Sequence, residues 1–222
     1  MKKHFNIAID GPSGAGKSTI AKALSKKLGI LYLDTGALYR AVGLKAYRDG
    51  WQEDDAAVSE LLKNVRIEVG YDEATGTQRV YLDGEDVSEE IRRDFVSGYG
   101  SRFSALPSVR AALLELQRET AAKHSSVLDG RDIGTCVLPD AEYKIFLTAS
   151  VDIRAARRYN ELREKGQDAD YETVKADIAA RDLRDSTRAV SPLRKAEDAV
   201  EIDSGDMTAA EVVEKIASLI KV

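Results

Sequence analysis

The stretch GPSGAGKS, Gly11 to Ser18, satisfies G-x-x-x-x-G-K-[ST] throughout, and it stands between the apolar run Phe5 to Ile9 and a helical pattern with Ile20, Ala23, Leu24 and Leu28 on one face. A buried strand, a glycine-rich loop and a helix in that order form a phosphate cradle. Gly11, Gly14 and Gly16 let backbone amides turn inward to phosphate oxygens, and the helix start adds its partial positive charge. Lys17 would contact the β- and γ-phosphates and Ser18 would ligate Mg²⁺. With Pro12, Ser13, Ala15 and Thr19, residues 11–19 are the expected ATP-binding set. A glycine-rich turn without this role needs neither the lysine nor the hydroxyl after it.

Outward from the loop, Gly29 is placed to cap the first helix. Ile30 to Leu33 reads as a second strand, Asp34-Thr35-Gly36 as a turn, and Leu38 to Tyr47 as a helix ended by Asp49-Gly50. The β-α rhythm then breaks. Val65, Ile67 and Val69 alternate with polar residues, as do Val80 and Leu82, with the turn-rich Asp72 to Thr77 between them. This predicts a hairpin with one wet face, and residues 65–95 read as an inserted subdomain. Helical patterns resume over Val96 to Ala105 and Ser108 to Lys123, with Pro107 as break or first-turn residue. Val127 to Asp129, Tyr143 to Leu147 and Ala199 to Ile202 read as core strands. Val151 to Lys165, Tyr171 to Asp185 and Thr208 to Ile220 read as helices, the last with Thr208 and Glu211 as a capping box. Strands alternating with helices imply a mainly parallel sheet covered on both faces.

Composition bounds the class. The chain of 222 residues is 43% hydrophobic and 32% charged, an ordinary globular balance that argues for one domain and against disorder. A chain this long buries about 70% of its unfolded surface and needs no disulfide or structural metal. One cysteine and two histidines offer neither a disulfide framework nor a closed zinc site, which fits a reducing cytosolic compartment. Lys3 and the run Phe5 to Ile9 stop at Asp10 without a cleavage site, so no signal peptide is expected. No stretch approaches the about 20 apolar residues of a membrane span. The formal net charge of −5 argues against broad binding to nucleic-acid polymers. Residues 151–195 nevertheless hold 11 Lys/Arg against 9 Asp/Glu, a net of +2, while the remainder, 22 against 29, carries −7. Basic groups are concentrated where a small anion could be met. A helix pair laced with surface ion pairs explains the same segment taken alone.

No guanine-reading N-K-x-D stretch accompanies the loop, and the chain is short for a motor or transporter ATPase. Small-molecule kinases remain, and these need a second anion site that holds an acceptor beside the γ-phosphate. LDTGALYR (Leu33 to Arg40), LDGRDIGT (Leu128 to Thr135) and RDLRDSTRAVSPL (Arg181 to Leu193), with the phosphate loop, resemble the bacterial-type cytidylate kinase family over nearly the whole chain in order and spacing. The resemblance implies an α/β fold of the three-layer P-loop type. It would have a parallel five-stranded sheet, an inserted NMP-binding subdomain with a small antiparallel sheet at about 65–95, and a short lid at about 154–170.

The resemblance also assigns residues. Arg40, Arg131 and Arg188 would grip the monophosphate, a task that suits the planar, always charged guanidinium fork. Asp132, Arg110 and Ser101 would read cytosine, the carboxylate facing the N4 amino group. Uracil would set an oxygen against that carboxylate, so discrimination follows from an unpaired polar group. Taken alone, Ser101 reads equally as a cap and Arg110 as a helix-surface cation. Thr35 matches a position that bonds the monophosphate or base. Arg181 and Asp185 would reach the ribose, so that CMP and dCMP are both held, and Arg181, Asp185 and Arg188 at i, i+4 and i+7 are expected on one helical face. Arg154, Arg157 and Arg158 share a face at the lid, with Arg157 or Arg158 expected to stabilise the transferring phosphoryl group. Asp129, at a strand end, is expected to join Ser18 in the Mg²⁺ shell, directly or through water.

The expected reaction is ATP with CMP or dCMP giving ADP with CDP or dCDP, in line and without a general base, since the acceptor oxygen is already anionic near neutrality. Lys17, Arg131, Arg157, Arg158 and Arg188 would supply the charge. The family resemblance further implies a cytoplasmic monomer. Another acceptor, such as uridylate, and a non-catalytic nucleotide-binding protein are the competing readings. Selectivity at Asp132 separates the first, and stimulation of ATP turnover by a monophosphate separates the second. Gly98, Gly100 and Gly166 are candidate hinge neighbours, and Cys136 reads as a buried core thiol.

Overall fold

In chain order the elements are β1 (Asn6–Asp10), α1 (Lys17–Leu28), β2 (Leu31–Asp34), α2 (Thr35–Asp49), α3 (Asp55–Leu62), β3 (Ile67–Tyr71), β4 (Gln78–Leu82), β5 (Glu85–Asp86), α4 (Asp94–Phe103) and α5 (Pro107–Lys123). They continue with β6 (Ser126–Gly130), a π-helical turn (Ile133–Val137), β7 (Tyr143–Thr148), α6 (Val151–Glu164), α7 (Tyr171–Thr187), β8 (Val200–Asp203) and α8 (Ala209–Leu219). The structure, a computed structural model, describes residues 4–72 and 74–221. Lys3 and Glu73, which entered the sequence reading, lie outside the described residues.

The five core strands form one parallel sheet in the order β2-β6-β1-β7-β8, flanked by helices. Ile7 to Asp10 stand opposite Tyr143 to Phe146, and Ile145 to Thr148 opposite Val200 to Asp203. From β1 the chain goes to one side for β2 and β6 and to the other for β7. The carboxyl end of β1 is therefore the switch point at which open α/β sheets bind ligands.

The chain divides into two compact units. One holds the described residues up to Asn6 with Ile30–Leu128, the other Ile7–Gly29 with the chain from Asp129 onward. In the first unit, Leu38, Val42 and Leu44 of α2, Val80 and Leu82 of β4, Val96 and Phe103 of α4, and Val109 and Leu113 of α5 share one core. Helix α2 begins at Thr35, earlier than the spacing predicted, because the Asp34 side chain accepts the Ala37 N–H as its cap. Thr35 thus opens a helix; it is not part of a turn. Helices α2 and α4 cross closely at Gly43, where a Cβ would stand 2.4 Å from the Gly100 nitrogen. That crossing, inside α4, gives Gly100 a reason other than a hinge.

Strands β3, β4 and β5 form the antiparallel sheet expected of the insert. In β4 Val80 and Leu82 are buried and Arg79 and Tyr81 half-buried, as alternation predicted. In β3 every residue is half-buried, because an edge strand with Ile67 and Val69 only leaning on the core has no clean division into faces. Helix α3 has no counterpart in the sequence reading. In the second unit, Ala155 of α6 and Val174 and Ile178 of α7 bind those helices together, and the Thr208–Glu211 capping box opens α8.

Candidate active site

The phosphate loop leaves β1 in a backbone that only glycine accepts. A Cβ on Gly11, at φ +149, would lie 1.9 Å from the Leu147 carbonyl oxygen. Gly16 at the start of α1 is left-handed, no side chain caps the helix, and no acidic residue occupies its first turn. Its N–H groups and positive end are left for an anion. The loop itself is braced from within the second unit. Arg154 donates to the Ser13 carbonyl at 2.9 Å and pairs with Asp182 at 2.6 Å, and Asp182 accepts the Ser13 N–H at 3.3 Å. Ser204 Oγ donates to the Ala15 carbonyl at 3.3 Å.

Lys17 is buried and donates to the Pro12 carbonyl at 2.7 Å. Burial first, and then the charges of Arg131 and Arg181, hold its pKa well below the ordinary lysine value, against the pull of Asp129 and Asp10. Ser18 Oγ donates to Asp129 Oδ2 at 2.8 Å. This pairs the two residues expected around Mg²⁺, and their hydroxyl and carboxylate oxygens are the hard donors that ion takes. No group of three or more His, Cys, Asp or Glu able to hold a metal occurs among the described residues. A shell of one or two protein ligands completed by phosphate and water fits the pair that is present.

Beyond β6 lies a cluster of opposite charges in the same unit. Arg131 Nε donates to Asp185 Oδ2 at 2.8 Å, and Arg188 Nη2 to Asp132 Oδ1 at 3.2 Å with both side chains buried. Burial would raise the Asp185 carboxyl, but Arg131, Arg181 and Arg188 outweigh it and hold the pKa below its ordinary value. The expectation of Arg181, Asp185 and Arg188 on one helical face is corrected: α7 ends at Thr187, and Arg188 is extended at φ −60, ψ 143. Its Nε donates to the Ser191 carbonyl at 2.7 Å, which turns the chain out of the helix while keeping the guanidinium inward. Cys136 is also corrected. It is half-buried, and its sulfur accepts a hydrogen bond from Ser191 Oγ at 3.1 Å, so it is no core thiol.

Of the lid arginines, Arg157 holds the Ser204 carbonyl at 2.7 Å, and Arg158 pairs with Glu161 at 2.9 Å. Arg154, the buried one, meets the phosphate loop. Spacing placed all three on one face and could not choose among them.

In the first unit, Arg40 Nη2 pairs with Asp34 at 2.7 Å, Thr35 is buried, and Gly100, next to Ser101 in α4, lies so near Arg40 that a Cβ on it would stand 3.1 Å from the Arg40 Cα. Ser101 and Arg110 are both buried. Arg110 donates to the Ser104 carbonyl at 3.2 Å and lies 5.3 Å above the Tyr39 ring, unlike a surface cation.

Sequence reasoning missed Asp10 and Asp182, and it placed Arg154 at the lid where the structure sets it against the phosphate loop. Asp10 stands one residue before the motif, where only a buried carboxylate ending an apolar run could have signalled it.

A family model described as "Cytidylate kinase" matches residues 7–222. The chain is 50% identical over 220 residues to a protein of Caldicellulosiruptor saccharolyticus named "Cytidylate kinase", covering 99% of this chain and 96% of that one. It is 50% identical over 223 residues to a protein of the same name from Bacillus velezensis, covering 100% and 98%. Among solved structures, a shikimate kinase from Bacteroides thetaiotaomicron is similar with a TM-score of 0.50 at 14% identity, covering 98% of this chain and 99% of that one. An uncharacterized protein from Eubacterium ventriosum reaches a TM-score of 0.52 at 16% identity, covering 98% of each chain. These two likenesses concern the fold.

Proposed function

The chain belongs to the cytidylate kinase family, and on that premise we propose that it transfers the γ-phosphoryl group of ATP to CMP and dCMP, giving ADP with CDP or dCDP. The observation that carries this reading is the pairing of half-buried Arg131 with Asp185 and the buried pairing of Asp132 with Arg188 in the unit that also holds the phosphate loop. A protein that only sensed ATP has no use for this second set of arginines.

In this reading residues 11–19 hold the donor phosphates, through the backbone N–H groups of the loop other than Pro12, which has none, and through the Lys17 side chain. Arg131 and Arg188 bind the acceptor phosphate, whose oxygens take over hydrogen bonds now made to Asp185 and Asp132. Released from Arg188, Asp132 faces the cytosine amino group, while Asp185 and Arg181 turn to the ribose. In the other unit, Thr35, Arg40, Ser101 and Arg110 are assigned to the acceptor nucleotide. The acceptor oxygen is anionic near neutral pH, so the residues align and neutralise and no side chain removes a proton. Ser18 and Asp129 are the residues that would hold Mg²⁺, which supplies charge neutralisation at the donor phosphates. Arg157 and Arg158 are assigned to the lid at about 154–170, and residues of about 65–95 to the NMP-binding subdomain. The family resemblance is the ground for assigning a monomer. ATP and CMP are intracellular metabolites, so the reaction is assigned to the cytoplasm. No described helix is long and apolar enough to cross a membrane.

The test is ADP release from Mg-ATP with CMP, dCMP, UMP or AMP, with Arg188→Ala and Asp132→Asn in parallel. Stimulation by CMP and dCMP is expected. Asp132→Asn should lower kcat/KM for CMP by roughly 10²-fold and narrow the preference over UMP, as expected when a buried polar group loses its match. Equal stimulation by UMP would remove the base assignment, and no stimulation by any of the four would remove the reaction.

A further inference from the structure

Asp10 ends β1, is 4% exposed, and sits one residue before the phosphate loop. Both of its oxygens are engaged by one short backbone segment: Oδ1 accepts the Ile133 N–H at 2.8 Å and Oδ2 the Gly134 N–H at 2.7 Å. These two amides open the π-helical turn, whose own bonds, from the Val137 N–H to the Asp132 carbonyl and from the Leu138 N–H to the Ile133 carbonyl, begin further along. Without Asp10 both donors would be buried and unsatisfied. Immediately before them stand Arg131 and Asp132, which carry the pairs to Asp185 and Arg188.

We propose that Asp10 is a positioning residue for the acceptor, fixing the backbone from which Arg131 and Asp132 reach the acceptor phosphate and base. The role requires a carboxylate. Two successive N–H groups need two acceptor oxygens, and an asparagine would turn an NH₂ toward one of them. Holding a charge at a buried site is costly: burial pushes the Asp10 pKa from 3.8 to about 6, although the two N–H groups pull the other way.

The inference rests on the proposed function, because it takes Arg131 and Asp132 to be acceptor residues. The experiment compares wild type and Asp10→Asn by steady-state kinetics with CMP varied, and by direct titration of ATP in the absence of CMP. Expected is a rise of about tenfold or more in KM for CMP, with ATP affinity within about threefold of wild type. An unchanged KM for CMP in the folded variant overturns the proposal, and so does an equal loss of ATP affinity, which marks a phosphate-loop support. If Asp10→Asn does not fold, amide exchange in the wild type decides. Ile133 and Gly134 amides slowed to the level of the core strands support the clamp, and exchange as fast as an open loop overturns it. A wild type that fails to phosphorylate CMP sinks the functional reading, while the exchange measurement still reads the clamp.

Discussion

Asp185 shows how a single side chain responds to the charges around it. Its folded pKa lies below 3.8 because three arginines outweigh its burial. A depressed carboxylate stabilises the fold above its unfolded pKa, and that contribution is lost as pH falls through about 4 and below. Asp185→Asn keeps one oxygen that can accept from Arg131 Nε but removes the charge from a partly buried pair, at a cost of roughly 1–3 kcal/mol near pH 7. Urea denaturation of wild type and variant should therefore show a gap at pH 7 that closes as the pH is lowered below about 4. An undiminished gap would mean that Asp185 acts through packing and not through charge. At this scale the sequence was legible where a motif fixes placement: Lys17 and Ser18 follow the loop at the start of α1, and Ser18 meets Asp129, the partner expected of it. It was opaque where burial decides. Arg154, Arg157 and Arg158 are equivalent by spacing, and only the fold sends Arg154 to Ser13.

At the scale of elements, the crossing of α2 and α4 carries Arg40 and the Ser101 turn on two helices whose backbones approach at Gly43 and Gly100. Gly43→Ala keeps helix propensity and would raise it by about 1 kcal/mol in isolation. The added Cβ would stand 2.4 Å from backbone, so the helices must separate. Overpacking of this kind costs about 1–3 kcal/mol, and the sign of the outcome is set by the clash. A fall in Tm of about 3–8 °C is expected in a thermal melt, and a rise would show that the helices slide without penalty. The main elements were readable because strand runs, glycine caps and the Thr208–Glu211 box are local signals. Helix α3 was not, since eight residues give barely two turns of periodicity and its cap, Asp54, sits within the acidic run Glu53 to Asp55. The helix was read to end at Asp185, close to the observed Thr187, yet Arg188 was set on its face because i, i+4, i+7 spacing carries no mark of where the chain leaves the helix. The clasp from Gln78 in β4 to Asp34, 2.7 Å from the Asp34 N–H to Gln78 Oε1, joins residues 44 positions apart, and no local pattern announces it.

Across the whole molecule, the formal charge of −5 would repel an anionic nucleotide, so affinity has to be built locally. The second unit does this with Lys17, Arg131, Arg181 and Arg188 set among Asp10, Asp129, Asp132 and Asp185, four cations with four carboxylates. The carboxylates balance these cations without phosphate, but incompletely. The lowered pKa of Lys17 shows that burial and neighbouring arginines still disfavour its charge in the fold. For a lysine whose folded pKa is lowered, the destabilisation is present at neutral pH and is relieved as pH rises through the folded pKa toward the unfolded value of 10.5. Lys17→Met removes that strain along with the donor to the Pro12 carbonyl. The free variant should therefore melt within about 2 °C of wild type at pH 7, or above it, since active-site charge is commonly held at the expense of stability. Saturating ATP, at about 100 times its dissociation constant, stabilises the wild type by about 2.7 kcal/mol. At the same ATP concentration the variant should lose most of that shift, and its turnover with CMP should drop by roughly 10²-fold or more. Thermal melts of both proteins with and without Mg-ATP separate the two effects. A free Lys17→Met protein that melts far below wild type would show that the lysine supports the fold, and the charge cluster would then be a structural network first and a nucleotide site second.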